Sequence, residues 1–380
     1  AGAGLLIRAA IHLGRVDPGF RAAGVVTARV GLPADAYPEW EQITGAFTRL
    51  HEELGRLPGA EATALVSQVP LGPGGGQNGL IPEGRALVLE NAIGSQLRLV
   101  TPGYFAAMGV PLEQGRDFTA EDRRGSARVM IISKRLAELA WPVQDLIGKR
   151  IACCEGSDTD PMYKEVVGVA GNVHFAGLDQ DVRPEFYLPI GQTPEEAWNW
   201  IRRTMMMVVR AKAPTAMVPG IRRAVKIVDP AVPVYAVATM DERIAQSLAQ
   251  SRFNTRLLVA LGLVGLVLAA IGIYGVIGYF VARQTRELGI RIALGASRNE
   301  IVRLVLGQGL GPVVVGIGVG IGGGLLLARV LTNQLRGVGS SDPITFGAVA
   351  AFLFVVALLA SLGPARRAAR VDPTTAIREE

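Results

Sequence analysis

The strongest pattern in the sequence is a series of long apolar runs in the last third of the chain. Leu257 to Ala282 contains no charged residue, and Leu304 to Leu331 contains only Arg329. A third apolar run extends from Phe346 to Gly363. Because about 20 apolar residues in a helix cross the core of a bilayer, we predict membrane spans at about 257–282, 305–331 and 346–363.

Charges beside these runs predict their orientation. The loop 283–303 carries five arginines and two glutamates, a balance of 5 − 2 = +3. Arg366, Arg367 and Arg370 follow the third run, whereas the loop 332–345 has one arginine and one aspartate. Short loops rich in arginine remain on the cytoplasmic side of a membrane. We therefore expect the loop 283–303 and the end of the chain to face the cytoplasm.

The loop 283–303 also contains helix signals. Glu287 and Arg291 are four residues apart, in the order that favours an ion pair on a helix. Gly295 is suited to end that helix in a left-handed conformation, and Ser297 with Glu300 has the spacing of a capping box before the next helix. The signals predict a short helix, a turn and a capped membrane helix. A positively charged anchor loop with no further role would have the same charge balance.

Two strand–helix–strand patterns, at 24–69 and 205–238, flank a long middle section. Residues 24–33 alternate between apolar and polar, which is typical of a half-buried strand, and the helix predicted at 38–55 has an apolar face. Two such units around an insertion favour a split α+β layer. The segment 70–79, PLGPGGGQNG, is predicted as a loop, and 241–256 as an amphipathic helix leading into the first complete span.

Composition agrees with a membrane protein that has a large soluble part, since 49% of the 380 residues are hydrophobic. The net charge of +6 lies largely beside the spans, and no stretch interleaves basic and aromatic residues, so nucleic-acid binding is not expected. Residues 1–14 are apolar but too short to span a bilayer, and we interpret them as the end of a truncated first transmembrane helix.

Candidate catalytic chemistry is sparse. The sequence contains no Walker A motif, and its three histidines, His12, His51 and His174, lack metal-ligand spacing. The adjacent Cys153 and Cys154 are interpreted as small apolar residues in or near a strand, with a redox role as the alternative. Several carboxylates sit around predicted turns and are expected to be solvated, namely Glu113, Asp117, Glu121 and Asp122. We predict no catalytic residue, no metal site and no cofactor site.

Two stretches of sequence resemble a known family. RQTRELGIRIALGASRNEIVRLVLGQG, from Arg283, resembles the cytoplasmic loop of the FtsX/MacB-type permease family of ABC transporters. LVTPGYFAAMGVPLEQGRDFTAED, from Leu99, resembles the family's extracytoplasmic domain. In that family the cytoplasmic loop docks on the ATPase subunit. The resemblance carries this role to Arg286, Glu287, Gly289, Arg291, Leu294, Gly295, Ala296 and Ser297.

The resemblance implies a fold and a division into domains. We expect a MacB-like periplasmic α+β domain with two subdomains and an FtsX-like bundle with three full spans and one truncated N-terminal span. The expected domains are 15–250, with a lobe made from 22–72 and 203–240 and an inserted lobe at about 73–202, and 251–380. RVDPGF, from Arg15, and TPGYF, from Thr101, most resemble the C-terminal unit of duplicated permeases.

The resemblance further implies a permease subunit, without ATPase motifs of its own, that couples a partner ATPase to motion of the periplasmic domain for export or extraction of a substrate. ATP would be bound by the partner, in a bacterial inner membrane. Other expected partners are a second permease unit, as a homodimer or an intrachain duplicate, the lipid bilayer and a periplasmic adaptor. The alternative is a membrane scaffold or sensor that regulates a periplasmic protein without transport.

Overall fold

The computed structural model describes residues 16–72, 76–141, 145–157, 160–178, 180–194, 197–284, 287–288, 290–291, 294, 296–331 and 343–368. The predicted helix end at 1–14 therefore lies outside the described residues. Residues 16–249 form one compact unit, named the core domain below. Residues from Gln250 onward belong to a second unit, named the helical unit.

The described part of the core domain is built on one sheet of eleven strands. The sheet has the order β11-β1-β10-β2-β4-β3-β7-β8-β6-β9, and β5 pairs with β8. The bounds are β1 Val25–Val30, β2 Ala60–Val66, β3 Gly76–Pro82, β4 Ile93–Val100, β5 Leu112–Gly115, β6 Val129–Ser133, β7 Arg150–Ser157, β8 Asp160–Ala170, β9 Glu185–Pro189, β10 Met206–Ala211 and β11 Val234–Thr239.

Strands from the two ends of the core domain are neighbours in the sheet. β1 is antiparallel to both β10 and β11, and β10 is antiparallel to β2. The strands that lie between β2 and β10 in the sequence do not form a simple row, because β9 pairs with β4 as well as with β6. The pairings β4-β3-β7-β8-β6-β9 therefore close into a ring of six strands. The α+β class predicted from the sequence is confirmed.

In the described part of the core domain, six α-helices pack against this sheet. They are α1 Trp40–Gly55, α2 Tyr104–Met108, α3 Lys134–Ala140, α4 Trp198–Thr204, α5 Val218–Val228 and α6 Met240–Ser247. The amphipathic helix predicted at 38–55 is confirmed as α1, whose Ile43, Phe47, Leu50 and Leu54 are buried. Apolar residues that recur at helical spacing place this face against the core.

Strand β1 is buried on both faces. Val26, Ala28 and Val30 belong to a core cluster that includes residues of α1 and α5. Val25 belongs to another cluster, which contains residues of α2. The prediction of a half-buried strand was therefore wrong, because helices cover both sides of the sheet and the short polar residue Thr27 is buried as well.

Two other predictions for the core domain need correction. The glycine-rich segment 70–79 was predicted as a loop, but Gly76 to Asn78 begin β3 and pair with β4. The amphipathic helix predicted at 241–256 is two helices, because α6 ends at Ser247 and the next helix begins at Ala249. Residues 73–75 of the glycine-rich segment lie outside the described residues.

The helical unit contains three long helices in its described part. They are α7 Ala249–Arg283, α8 Arg298–Leu331 and α9 Pro343–Ala368. Within them Val259–Arg283, Arg298–Gly323 and Ala350–Arg367 are long and apolar enough to cross a membrane. The predicted candidate membrane helices are thus confirmed by length and composition, with the second starting nearer Arg298 than residue 305.

Candidate functional site

The predicted coupling loop lies between helices α7 and α8 in the chain. The structure describes Glu287, Arg291, Leu294, Ala296 and Ser297 among the residues predicted for ATPase contact. The other three, Arg286, Gly289 and Gly295, lie outside the described residues.

The first part of the loop has helical hydrogen bonding. The N–H of Leu288 donates to the carbonyl of Gln284 at 3.0 Å, and the N–H of Leu294 donates to that of Ile290 at 3.0 Å. Both bonds have the four-residue spacing of an α-helix. Arg291 Nη2 donates to Glu287 Oε1 at 2.6 Å, so the predicted ion pair is confirmed.

The second part of the loop leads into α8 through a capped turn. The N–H of Ala296 donates to the carbonyl of Arg291 at 3.0 Å, a six-to-one bond that is common where helices end. The N–H of Ser297 donates to Glu300 Oε2 at 2.8 Å, and the N–H of Glu300 donates to Ser297 Oγ at 3.4 Å. These two bonds confirm the predicted capping box.

A buried leucine anchors the loop on the ends of the long helices. Leu288 is only 2% exposed and belongs to a cluster with Ile277 of α7, Ile301 of α8 and Ala365 of α9. The Leu288 side chain therefore belongs to a small core to which all three long helices contribute. The sequence analysis did not single out Leu288. An apolar residue stands four positions after Leu288 in the sequence, but the charged residues around the pair obscured this helical pattern.

The opposite side of the loop exposes apolar side chains. Leu294 is 82% exposed, and Ile290 is also exposed, close in sequence to the ion pair Glu287–Arg291. Two large exposed apolar residues beside charged ones are typical of an interaction surface, whereas an anchor loop needs only its positive charge. Leu294 had been predicted as a contact residue from the resemblance, and Ile290 had been missed.

The core domain contains a buried charged cluster that the sequence analysis also missed. Arg98 on β4 and Glu185 on β9 are both buried, and Arg98 Nη2 lies 3.2 Å from Glu185 Oε1. The hydroxyl of Tyr187 donates to Glu185 Oε2 at 3.0 Å, and the Arg98 guanidinium lies 3.4 Å from the ring centre of Phe175. Burial raises the pKa of Glu185 to about 7, and Arg98 and Tyr187 offset that rise only in part.

The turn carboxylates differ from the prediction of simple solvation. Asp122 is buried and accepts two bonds from Arg116, at 2.8 Å and 3.0 Å. Burial opposes ionisation of Asp122, but the bonds from Arg116 and from the N–H of Thr119 outweigh it and lower its pKa. Asp117 accepts from the N–H groups of Phe118 and Gly103, and burial raises its pKa. Glu113 and Glu121 are exposed as predicted.

Asp117 and Asp122 stabilise turns through these hydrogen bonds. In the described ranges they do not lie with other candidate catalytic groups. Across the described ranges of the chain, no group of three His, Cys, Asp or Glu side chains is arranged to hold a metal ion. His51 Nε2 lies 3.2 Å from the carbonyl of Thr63, and burial lowers the pKa of this histidine. Cys153 on β7 is buried and belongs to the same core cluster as residues of α1. The loop between α7 and α8 is therefore the strongest candidate for a functional site.

The chain matches the models of two protein families. Residues 11–227 match the MacB-like periplasmic core domain, and residues 259–373 match the FtsX-like permease C-terminal domain. The first match covers ten of the eleven strands that the structure describes, β1 to β10, and ends before β11. The second covers most of α7, the loop that Leu288 anchors, α8 and α9.

Individual relatives carry related names. The chain is 28% identical to the pyoverdine export ATP-binding/permease protein PvdT of Pseudomonas fluorescens strain Pf0-1 over 71% of this chain and 40% of that protein. It is 26% identical to the uncharacterized ABC transporter permease YknZ of Bacillus subtilis strain 168 over 74% of this chain and 69% of that protein. The chain thus spans well under half of the first relative and about two thirds of the second.

A solved structure of the periplasmic region of MacB from Actinobacillus actinomycetemcomitans matches with a TM-score of 0.40 and 12% identity, over 63% of this chain and 98% of that one. The two family matches together cover most of the sequence, the first over β1 to β10 and the second over most of the three long helices. The chain belongs to the MacB/FtsX-type family of ABC transporter permeases.

Proposed function

We propose that this chain is the permease subunit that couples a partner ABC ATPase to motion of its periplasmic core domain. The observation that carries the proposal is the two-sided loop between α7 and α8. Its inner residue, Leu288, is buried among side chains from all three long helices, and its outer residue, Leu294, is exposed. A protein bound to the outer side would therefore push or pull on the helix ends directly.

The loop is suited to transmit force because its two halves are held internally. The Glu287–Arg291 pair and the Ser297–Glu300 capping box hold the short helix and the start of α8 in defined shapes. A segment with few internal bonds would absorb motion by local unfolding. ATP would be bound and hydrolysed by the partner, and this chain would contribute the contact surface and the moving helices.

Topology follows from the same proposal. The loop 283–303 would face the cytoplasm, where the ATPase is found, and the core domain would face the periplasm of a bacterial inner membrane. The arginines of the loop support this orientation, because short cytoplasmic loops are rich in arginine.

A second permease unit would complete the assembly. In the described part of α8, no atom beyond the adjacent residues and the helix's own nearby backbone lies within 4 Å of the place where a Cβ would stand on Gly316, Gly318 or Gly320. Small residues allow membrane helices to approach closely, which supports α8 as the contact between two permease units.

The test compares two exposed leucines. The chain is co-expressed with the ABC ATPase subunits of its own genome and purified in detergent through a tag on the permease. We expect an ATPase to co-purify with the natural chain and to be lost with Leu294→Asp. Leu89→Asp is the matched control, because Leu89 is 93% exposed on the core domain and the substitution is the same.

Loss of co-purification in both variants, or in neither, would overturn the assignment of the loop. If no ATPase associates with the natural chain, the proposed coupling is overturned. Where an ATPase is bound, substrate movement that depends on ATP distinguishes transport from the scaffold alternative, which regulates a periplasmic protein without transport.

A further inference from the structure

A basic strip on the core domain remains unexplained by coupling to an ATPase. The exposed face of helix α5 presents Arg222, Arg223 and Lys226, and the eleven residues of the helix include no acidic residue. These three side chains line an open groove of about 630 Å³. The other side chains that line the groove are apolar and belong to Pro219, Val232, Pro233 and Val234.

Among the residues that the structure describes, none of the three cations of the strip forms an ion pair. Arg222 Nη1 donates a hydrogen bond to the carbonyl of Val234 at 3.5 Å. The nearest acidic residue along the chain, Asp229, is occupied elsewhere. Its Oδ2 accepts from the hydroxyl of Tyr37 at 2.8 Å, and its Oδ1 accepts from the N–H of Ala231 at 2.8 Å.

The spacing of the strip matches an extended chain. Arg222 and Lys226 are four residues apart, so they are about 6 Å apart along the helix axis at a rise of ~1.5 Å per residue. Alternate residues of an extended strand, which point to the same side, are separated by about 6.6 Å. Carboxylates at alternate positions of an extended segment can therefore meet Arg222 and Lys226, and Arg223, next to Arg222 in the sequence, adds positive charge beside them.

Exposed apolar residues are adjacent in the sequence to residues that line the groove. Ile227 is 61% exposed next to Lys226, and Tyr235, at the start of the edge strand β11, is 41% exposed next to Val234. Tyrosine and arginine are enriched at protein interfaces, where an apolar contact is surrounded by charged groups. The combination of three unpaired cations with two exposed apolar side chains distinguishes this strip from a uniformly solvated helix face.

We propose that the strip on α5 binds an extended acidic segment of a partner protein, with Asp or Glu at alternate positions and an apolar residue at one end. The partner's carboxylates pair with Arg222, Arg223 and Lys226, and its apolar residue lies against Ile227. The segment lies in the groove beside Val232 to Val234. This interaction is independent of the proposed ATPase contact, because it involves only residues of the core domain.

The experiment uses the full chain in nanodiscs of zwitterionic lipid and a fluorescent heptapeptide. The peptide has leucine first, glutamate at the second, fourth and sixth positions, and serine or glycine elsewhere. Fluorescence anisotropy measures its binding. We expect saturable binding that weakens as salt is raised, because exposed charges are screened. A peptide with serine in place of each glutamate should not bind.

The decisive variant is the triple substitution Arg222→Glu, Arg223→Glu and Lys226→Glu, which should weaken binding at least ~10-fold, the factor expected for losing ~1.4 kcal/mol. The matched control changes three other exposed basic residues of the core domain, Arg123→Glu, Arg128→Glu and Lys212→Glu, and so alters the net charge equally. It should retain its affinity for the peptide within about twofold, because the same change in net charge leaves the three cations of the strip in place.

Equal loss in both triple variants, or no binding by the natural chain, would overturn the proposal. Two further outcomes would also overturn it. Competition by inorganic phosphate at the same concentration as the peptide would assign the groove to small anions. Binding of phosphatidylglycerol vesicles that needs the strip, without peptide binding, would assign it to a membrane surface. Unchanged thermal unfolding of both variants confirms that they are folded.

Discussion

Arg243 on helix α6 donates from Nε to Thr27 Oγ1 on strand β1 at 2.8 Å, which joins residues 216 positions apart. Its Nη2 also donates to the carbonyl of Ala236 on β11 at 3.0 Å, and Thr27 Oγ1 donates to the carbonyl of Ala238 at 3.0 Å. Arg243 is buried, so these bonds replace water. One guanidinium therefore holds the last helix of the core domain against two neighbouring strands.

The variant Arg243→Ala should destabilise the core domain by about 2 kcal/mol, because buried hydrogen bonds to a charged group are lost and two acceptors remain unpaired. The midpoint of thermal unfolding, followed by tryptophan fluorescence of the full chain in detergent, measures the effect. Lys212→Ala, at an exposed residue, is the control and should change stability by less than ~0.5 kcal/mol. Similar midpoints for the two variants would show that Arg243 is not a structural clamp.

Stability should fall as pH rises because of Glu185. Its folded pKa is about 7, above the value of 4.5 for an unperturbed glutamate, so the folded state holds a proton that the unfolded state releases first. The stabilisation is complete below about pH 4.5 and is lost as pH rises through about 7. Thermal midpoints at pH 5 and pH 8 measure this change.

The variant Glu185→Gln should show a flatter dependence over the same pH range. His51 has the opposite effect, since its lowered pKa removes stability as pH falls below its unperturbed value of 6.5. Both proteins contain His51, so the difference between their curves isolates Glu185. Parallel curves would mean that Glu185 is ionised throughout and that Arg98 compensates fully for burial.

A charge swap separates the internal ion pair of the loop from ATPase contact. Arg291→Glu should reduce co-purification of the ATPase, because it reverses a charge on the docking helix. An exposed ion pair contributes only ~0.3–0.5 kcal/mol on a helix, so the variant remains folded. The double variant Glu287→Arg with Arg291→Glu restores an internal pair in the opposite order. Recovery of binding in the double variant would mean that only the pair matters, and continued loss supports direct contact by Arg291.

Cysteine labelling in intact cells tests the orientation of the helices. In a background with Cys153 and Cys154 replaced, Arg298→Cys should be shielded from a membrane-impermeant thiol reagent, and Val338→Cys should react. The loop 332–345 carries no net charge and is expected outside the cytoplasm. Labelling after membrane permeabilisation is the control for reactivity at both sites. The reverse pattern in intact cells would overturn the proposed topology.

Local signals predicted much of the fold, and long-range contacts account for what they missed. Helix α1 was predicted closely because its apolar spacing is a property of one segment. Strand β3 was missed because Gly76 and Gly79 have low strand propensity, and its pairing with β4 overrides that preference. The burial of Arg98 and Glu185 depends on the parallel pairing of β4 and β9, which are far apart in the sequence.

The candidate site divides in the same way. The Glu287–Arg291 pair and the capping box span three or four residues, so their sequence spacing was enough to predict them. The burial of Leu288 requires Ala365 and Ile301 from two other helices. Its spacing within the loop gives no information about those partners. The sequence therefore identified the loop but not the residue that anchors it.

The pairing of Val26 with Thr239 has a consequence for chimeric proteins. The chain enters the sheet at the start of β1 and leaves it at the end of β11, and these points are directly opposite each other on adjacent strands, ~5 Å apart. A graft therefore needs only two nearby attachment points. The core domain as a whole could be exchanged for that of another permease, while β1 and β11 keep the same spacing at the graft boundary.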